Sequence, residues 1–266
     1  MSFFQAILLG TLQGVTEFLP VSSSGHLVVM KSIFNIIEIP VLFDVLLHIS
    51  TLFVVIIVFR TRILSIIRSL FSYLYPGEVT SGENRENLRL FLIIILASVF
   101  TATIGLGVSF LNVERNPMLV SILFLVTGSF LLFSKFSKGK KEYGEIGVVE
   151  GIVTGTAQGL GVFPGISRSG ITISAALFSG MDRQKAGEFS FLLFIPAVSG
   201  ALVLKLKEAR DLFTMVSPWT VLAGVSASFI VGLFSLKLLL KLVRGGKLYY
   251  FTPYLFAIGI AGLIWL

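Results

Sequence analysis

Cysteine is absent from the 266 residues, so no disulfide, thiolate metal site or cysteine nucleophile can contribute to this protein. Histidine occurs only twice, at His26 and His48, which confines imidazole chemistry to two positions. Charge is scarce: 13% of residues are charged against 55% hydrophobic, and mean hydropathy is +0.95. The 21 basic and 14 acidic residues are too few to cover a soluble domain of this size. A soluble fold, a disordered chain and a disulfide scaffold are therefore excluded, and a bilayer is the expected solvent. The amino terminus, MSFFQAILLG, has no basic n-region and runs into Gln13 and Glu17 without a small-residue cleavage site, so it reads as mature protein.

What is present is apolar runs of spanning length. A membrane helix needs ~20 apolar residues, and six segments read as spans: 41–59, 88–111, 118–133, 189–204, 221–242 and 248–266. The basic stretches between them, 60–89 among them, read as loops. Two further apolar regions, 3–37 and 146–178, are broken midway by Pro, Gly and Ser and read as re-entrant hairpins. They repeat each other: Gly10 to Gly14 (GTLQG) matches Gly155 to Gly159 (GTAQG) at an offset of 145, and Phe18, Ser22, Ser24 and Gly25 match Phe163, Ser167, Ser169 and Gly170. The predicted fold is an all-α integral membrane protein, about six transmembrane helices plus two re-entrant helical hairpins arranged as an inverted-topology repeat. Residues 1–145 form the first half of this single membrane domain and 146–266 the second, and three spans per half turn the second upside down.

Loop charge orients the chain. If 60–89 is cytoplasmic, the inner segments 60–89, 135–141, 183–185 and 237–247 collect fifteen Lys and Arg, and the outer ones hold five: Lys31, Arg115, Lys205, Lys207 and Arg210. This bias predicts both termini outside, with the first hairpin entering from the outer face. The net charge of +7 is then a topology signal with a secondary attraction to membrane lipids, and implies no nucleic-acid partner. Arg168 is the one basic residue left over, inside a hairpin.

A charge at the centre of a membrane helix costs roughly 2.5–3.5 kcal/mol, so each must be paired or solvated. Those at membrane depth are Glu17, Asp44, Arg168 and Glu188. Gln13 and Glu17 are four apart and share a helix face, and Pro20 ends that helix or begins a turn. Ser22, Ser23 and Ser24 follow where a second half-helix begins, offering hydroxyls and free N–H groups to an anion. His26 lies three residues past Ser23, within reach of a hydroxyl proton. In the second hairpin, Pro164 and Gly165 break the chain, Ser167, Ser169, Gly170 and Thr172 surround a helix start, and the guanidinium of Arg168 suits bidentate contact with phosphate. Blander readings stand beside these. Ser-Gly clusters also permit close helix packing, Arg168 also fits as counter-ion to Glu17 or Glu188, and His48 also fits as a core residue satisfied by Asp44. Glu188 also reads as an interfacial acid.

The stretches QGVTEFLPVSSSGH (Gln13 to His26) and PGISRSGITIS (Pro164 to Ser174) closely resemble the two signature motifs of the undecaprenyl-pyrophosphate phosphatases, the bacitracin-resistance family of bacterial inner-membrane enzymes. EFSFLLFIP (Glu188 to Pro196) is similar to that family too. The resemblance implies hydrolysis of a polyprenyl pyrophosphate lipid to its monophosphate, in the inner membrane, at a site open to the extracytoplasmic side. It places the family's acidic motif on Gln13 and Glu17, its serine and histidine on Ser23 and His26, and its phosphate contacts on Ser167, Arg168 and Thr172, and it implies dependence on Mg or Ca ions. Gln13 stands where many members carry glutamate, leaving one carboxylate where a two-acid metal site, Gln13 with Glu17, would need two. The expected catalytic set is Glu17, Ser23, His26 and Arg168, with Ser23 as nucleophile, His26 as its base and Arg168 stabilising the transferring phosphoryl group. Ser22, Ser24, Gly165, Ser167, Ser169, Gly170 and Thr172 are expected to bind the substrate phosphates. A water nucleophile remains an alternative mechanism, and a lipid-phosphate flippase or anion transporter, using the same broken-helix pocket, an alternative function. An oligomer is compatible with all of these.

Overall fold

The computed structural model describes residues 1–26, 41–74, 82–111, 116–206 and 216–265. Ten α-helices carry them: α1 (Phe3–Thr16), α2 (Val41–Val58), α3 (Arg60–Leu74), α4 (Gly82–Ser109), α5 (Pro117–Ser134), α6 (Val148–Leu160), α7 (Arg168–Phe178), α8 (Arg183–Leu206), α9 (Pro218–Arg244) and α10 (Thr252–Trp265). A helical turn at 23–26 and a 3₁₀ turn at Leu248–Phe251 complete them, and no strand forms among the described residues. The second arm of the first hairpin beyond His26 lies outside the described residues, as do Lys31, Arg115, Lys207 and Arg210.

Local chemistry sets several starts. Ser2 and Gln5 form a capping box at α1, with the Gln5 N–H donating to Ser2 Oγ at 3.2 Å and the Ser2 N–H to Gln5 Oε1 at 2.7 Å. Asn116 caps α5 ahead of Pro117, and Pro218 opens α9, each where a missing N–H costs nothing.

Each of the six apolar segments is helical. Among the described residues α4, α8 and α9 are each long and apolar enough to cross a bilayer, and α2 with α3 makes a fourth candidate bent by 73°. The 18 residues of α5 rise about 27 Å, close to a bilayer core, and α10 is shorter still.

The stretch 60–89, expected as a loop, is largely helix. Arg60 returns Nη1 to the Ile57 carbonyl (3.0 Å) and so caps the end of α2. Beyond it, Ile63, Ile66 and Leu70 recur at helical spacing and pack on the core. Ser65 and Ser69 meet α4 through Asn87 Nδ2 at 2.8 and 2.9 Å. Basic residues dominated the reading of this stretch and masked its 3.6-residue period.

The first arms of the two hairpins pack reciprocally. Helix α1 lies on α9 through Gly10 and Gly14, where a Cβ would run into the Gly224 carbonyl and come within 2.6 Å of the Ser228 carbonyl. Helix α6 lies on α4 through Gly155 and Gly159, where a Cβ would strike the backbone of Ala97 and come within 2.7 Å of Ile104. Matching glycines, four apart in each arm, thus let a short helix press against a long one, the small-residue packing that membranes favour. Helices α2 and α8 pack against each other, as do α5 and α10. Phe18, Phe59, Phe191 and Phe194 fill the core beneath the two breaks.

Candidate active site

The breaks of the two hairpins touch. Helix α1 ends at Thr16, Glu17 caps it, and the chain turns through Pro20 into the turn at 23–26. Ser22 holds a φ of +69°, the only non-glycine residue with positive φ among those described. That conformation lets Ser22 Oγ accept from the Gly165 N–H at 3.1 Å, across the gap between the hairpins. Gly165 itself has φ +93°, and a Cβ there would meet the Val120 carbonyl, so two requirements select glycine. Ser167 then caps α7, taking the Gly170 N–H at 3.2 Å, which leaves the N–H groups of Arg168 and Ser169 at the helix start without intrahelical acceptors.

Glu17 is the hub. Its side chain is 1% exposed, and four groups surround the carboxylate. Arg168 Nη2 lies 2.5 Å from Oε1, and Ser23 Oγ donates to Oε2 at 2.8 Å. Gln13 Nε2 donates to Oε2 at 3.0 Å, and His48 Nδ1 lies 3.6 Å from Oε1. Gln13 Nε2 also lies 3.0 Å from His48 Nδ1. Amide, imidazole and carboxylate thus form one contiguous polar cluster at the end of α1. Behind Arg168, the Phe194 ring lies 4.8 Å from the guanidinium carbon.

Glu17, Ser23, His48 and Arg168 face a cavity of about 230 Å³. Its polar end is made by Glu17, Ser22, Ser23, Ser24, His48, Ser167 and Arg168, and its apolar wall by Val162, Ile166, Val198, Ala201 and Leu202. The expected residues thus divide. Ser22, Ser23, Ser24, Ser167 and Arg168 reach the cavity with Glu17. Gly165, Ser169 and Gly170 shape the second break from behind, and Thr172 spends its hydroxyl on the Arg168 carbonyl at 2.7 Å. His26 does not reach Ser23: its Nδ1 is 2.8 Å from the Ser22 carbonyl oxygen, and its Nε2 meets the Tyr254 hydroxyl. The group beside the Ser23 hydroxyl is Glu17. His48 was missed as a site residue because a lone histidine on an apolar helix carries no local signal. Its place in the segment 43–49, which matches 189–195 just past each hairpin, was the available clue. Glu188 is not the partner of Arg168; it pairs with Arg62 at 3.3 Å, and Arg62 stacks over Tyr143.

The donor set does not fit a resident metal centre. Among the described residues Glu17 is the one carboxylate at the cavity, both its oxygens are engaged, and Gln13 adds a neutral amide rather than a second carboxylate. No group of three His, Cys, Asp or Glu side chains that could hold an ion occurs among the described residues.

A helical membrane protein in which two broken hairpins bring an arginine, four serines and two helix starts to one cavity belongs to the class that handles phosphorylated lipids or other anions at membrane depth. The sequence pattern described as "Bacitracin resistance protein BacA" matches residues 6–261, and the chain belongs to that family. It is 45% identical over 260 residues to the undecaprenyl-diphosphatase of Treponema denticola, covering 98% of this chain and 96% of that protein. Similar relatives of the same name occur in Borreliella burgdorferi (39% identical, 97% of this chain, 96% of the relative) and Carboxydothermus hydrogenoformans (40%, 99% and 97%).

Proposed function

We propose that this chain is an undecaprenyl-diphosphatase. It hydrolyses undecaprenyl pyrophosphate to undecaprenyl phosphate and phosphate, recycling the carrier lipid for cell-wall synthesis and conferring bacitracin resistance. The observation that carries this reading is the cavity: Ser23, Glu17 and Arg168 converge at its polar end, in a chain that matches relatives of that name over nearly its whole length.

Ser23 Oγ attacks the terminal phosphorus as the bond from that phosphorus to the bridging oxygen breaks. Arg168 moves from Glu17 to the phosphoryl oxygens, with the N–H groups of Arg168 and Ser169 beside it, where negative charge develops. Release from Arg168 frees the Glu17 carboxylate to take the Ser23 proton through the 2.8 Å hydrogen bond and pass it to the leaving lipid phosphate. Water then attacks the phosphoserine. Glu17 takes its proton and returns it to Ser23 Oγ as the Oγ–phosphorus bond breaks, and phosphate leaves. A divalent cation, Mg or Ca, would accompany the substrate here and offset its negative charge. The polyprenyl chain leaves the cavity over Val198, Ala201 and Leu202. The site opens to the extracytoplasmic side, on the strength of the basic inner stretches, and the reciprocal packing of the first arms supports a duplicated chain with halves 1–145 and 146–266.

The test is phosphate release from undecaprenyl pyrophosphate by purified protein, with and without a chelator. Transbilayer lipid movement in vesicles without phosphate release would replace this reading with the flippase or transporter that the broken helices also suit. For sidedness, the absence of native cysteine permits single-cysteine labelling. Lys140→Cys should react with a membrane-impermeant maleimide only from the cytoplasmic face, and labelling from outside would reverse the topology.

A further inference from the structure

Resting on the phosphatase reading, we infer that His26 and Tyr254 form a latch that positions the nucleophile turn, and that neither exchanges a proton with the substrate or Ser23. His26 is the histidine that sequence spacing offers as the base, yet it is absent from the cavity lining. The Ser22 carbonyl can only accept a hydrogen bond, so His26 Nδ1, 2.8 Å away, carries the ring proton. In the neutral ring Nε2 then presents a lone pair, and the Tyr254 hydroxyl donates to it. Both ring nitrogens are thereby committed, one to the turn and one to α10.

The ring is also clamped by packing. Tyr254 lies nearly coplanar with it, at 17° with centroids 5.7 Å apart, and Phe124 of α5 meets it edge-on at 6.0 Å. The Phe124 ring lies so close to Gly25 that a Cβ there would come within 2.7 Å of it. Helices α5 and α10 are themselves fixed to each other, with Thr252 Oγ1 donating to the Gly128 carbonyl at 3.1 Å. Rigid packing therefore delivers Tyr254 to His26, and His26 grips the carbonyl of Ser22.

Ser22 is the residue that needs gripping. It is the only described non-glycine residue at positive φ, it ties the first break to Gly165 of the second, and the next residue is Ser23. Without the latch, Ser22 keeps only the Gly165 N–H on its hydroxyl and the His26 backbone N–H on its carbonyl, a weaker hold on its positive φ that lets Ser23 Oγ swing away from Glu17 and Arg168. Displacements of about 1 Å in an attacking group can cost on the order of 100-fold in rate.

The experiment compares Tyr254→Phe, His26→Asn and His26→Ala with the wild type in phosphate release from undecaprenyl pyrophosphate, alongside thermal unfolding. Tyr254→Phe keeps the aromatic ring and loses only the donor, and it should lower kcat about 10-fold with KM changed less than 2-fold and an unchanged Tm. Asparagine places an amide N–H near the Nδ1 position but cannot act as a base. His26→Asn should therefore keep at least a tenth of wild-type kcat, while His26→Ala loses about 100-fold. A His26→Asn loss as deep as that of His26→Ala would make His26 the proton acceptor and overturn the latch, as would wild-type kcat in Tyr254→Phe. If Tyr254→Phe also lowers Tm, the asparagine-to-alanine comparison decides. Failure of the wild type to release phosphate would instead refute the phosphatase reading itself.

Discussion

Arg168 Nη2 lies 2.5 Å from Glu17 Oε1, so the one arginine of the second hairpin and the acid of the first are an ion pair before any substrate arrives. Two charges that would each be costly at membrane depth are held together, and a phosphate entering the cavity competes with the carboxylate for the guanidinium. Substrate binding and release of Glu17 are thereby one event.

That coupling predicts an ordered mutant series. Arg168→Ala leaves the buried Glu17 carboxylate without its guanidinium, a change of up to about 3–5 kcal/mol for a buried pair, and should lower kcat/KM by at least 1000-fold with a drop in Tm. Arg168→Lys restores charge without the planar fork and should recover Tm more than activity. Adding Glu17→Gln to Arg168→Ala should restore most of the lost Tm without restoring turnover. Phosphate release and unfolding in detergent read both; a double variant no more stable than Arg168→Ala would mean the pair does not hold the two hairpins together.

Ser23→Ala should abolish phosphate release while leaving membrane insertion and Tm intact, because it removes one hydrogen bond from a carboxylate that keeps Arg168 and Gln13. Acid quenching of wild-type turnover with pyrophosphate labelled in its terminal phosphate should leave label on the protein, and Ser23→Ala should leave none. Near-normal release by Ser23→Ala would transfer the attack to water.

The sequence made the two hairpins legible because their glycines, serines and phenylalanines repeat at one offset, and it made Arg168 legible because nothing else basic sits between two apolar arms. It pointed to His26 as the base because spacing along the chain measures only local reach. The ring's choice was set by Tyr254, 228 residues away, which no local pattern joins to it. His48 was hidden for the same reason, since its contacts with Gln13 and Glu17 exist only once α2 packs beside α1. Helix α3 was obscured differently, by arginines that satisfy a charge count while its isoleucines satisfy a helix.

Gln13→Glu would place a second carboxylate against Glu17 Oε2, where the amide now donates at 3.0 Å. Paired acids create a cation site the present residues do not offer. The variant should need several-fold less Mg for half-maximal activity, with kcat altered less than the metal requirement. A titration superimposable on the wild type would place the cation away from Gln13.

The apolar wall sets a prediction about the lipid. Val198 and Leu202 are buried, whereas Ala201 between them is exposed and still lines the cavity, so the cavity opens past Ala201 toward the hydrocarbon. Val203 and Leu204 continue the apolar surface outward at 60% and 53% exposure. A polyprenyl chain whose pyrophosphate meets Arg168 and Ser23 would cross this lip first, and each buried CH₂ contributes roughly 0.8 kcal/mol. Ala201→Trp fills the lip without touching the polar end. It should raise KM for undecaprenyl pyrophosphate about 10-fold or more while changing kcat/KM for a short-chain pyrophosphate such as an isopentenyl one less than 3-fold. Equal losses on both substrates would mean that the tryptophan distorts the site itself. No loss on either would send the tail out by another route, the groove between α2 and α9 lined by Leu46, Phe53 and Phe229 being the next to block.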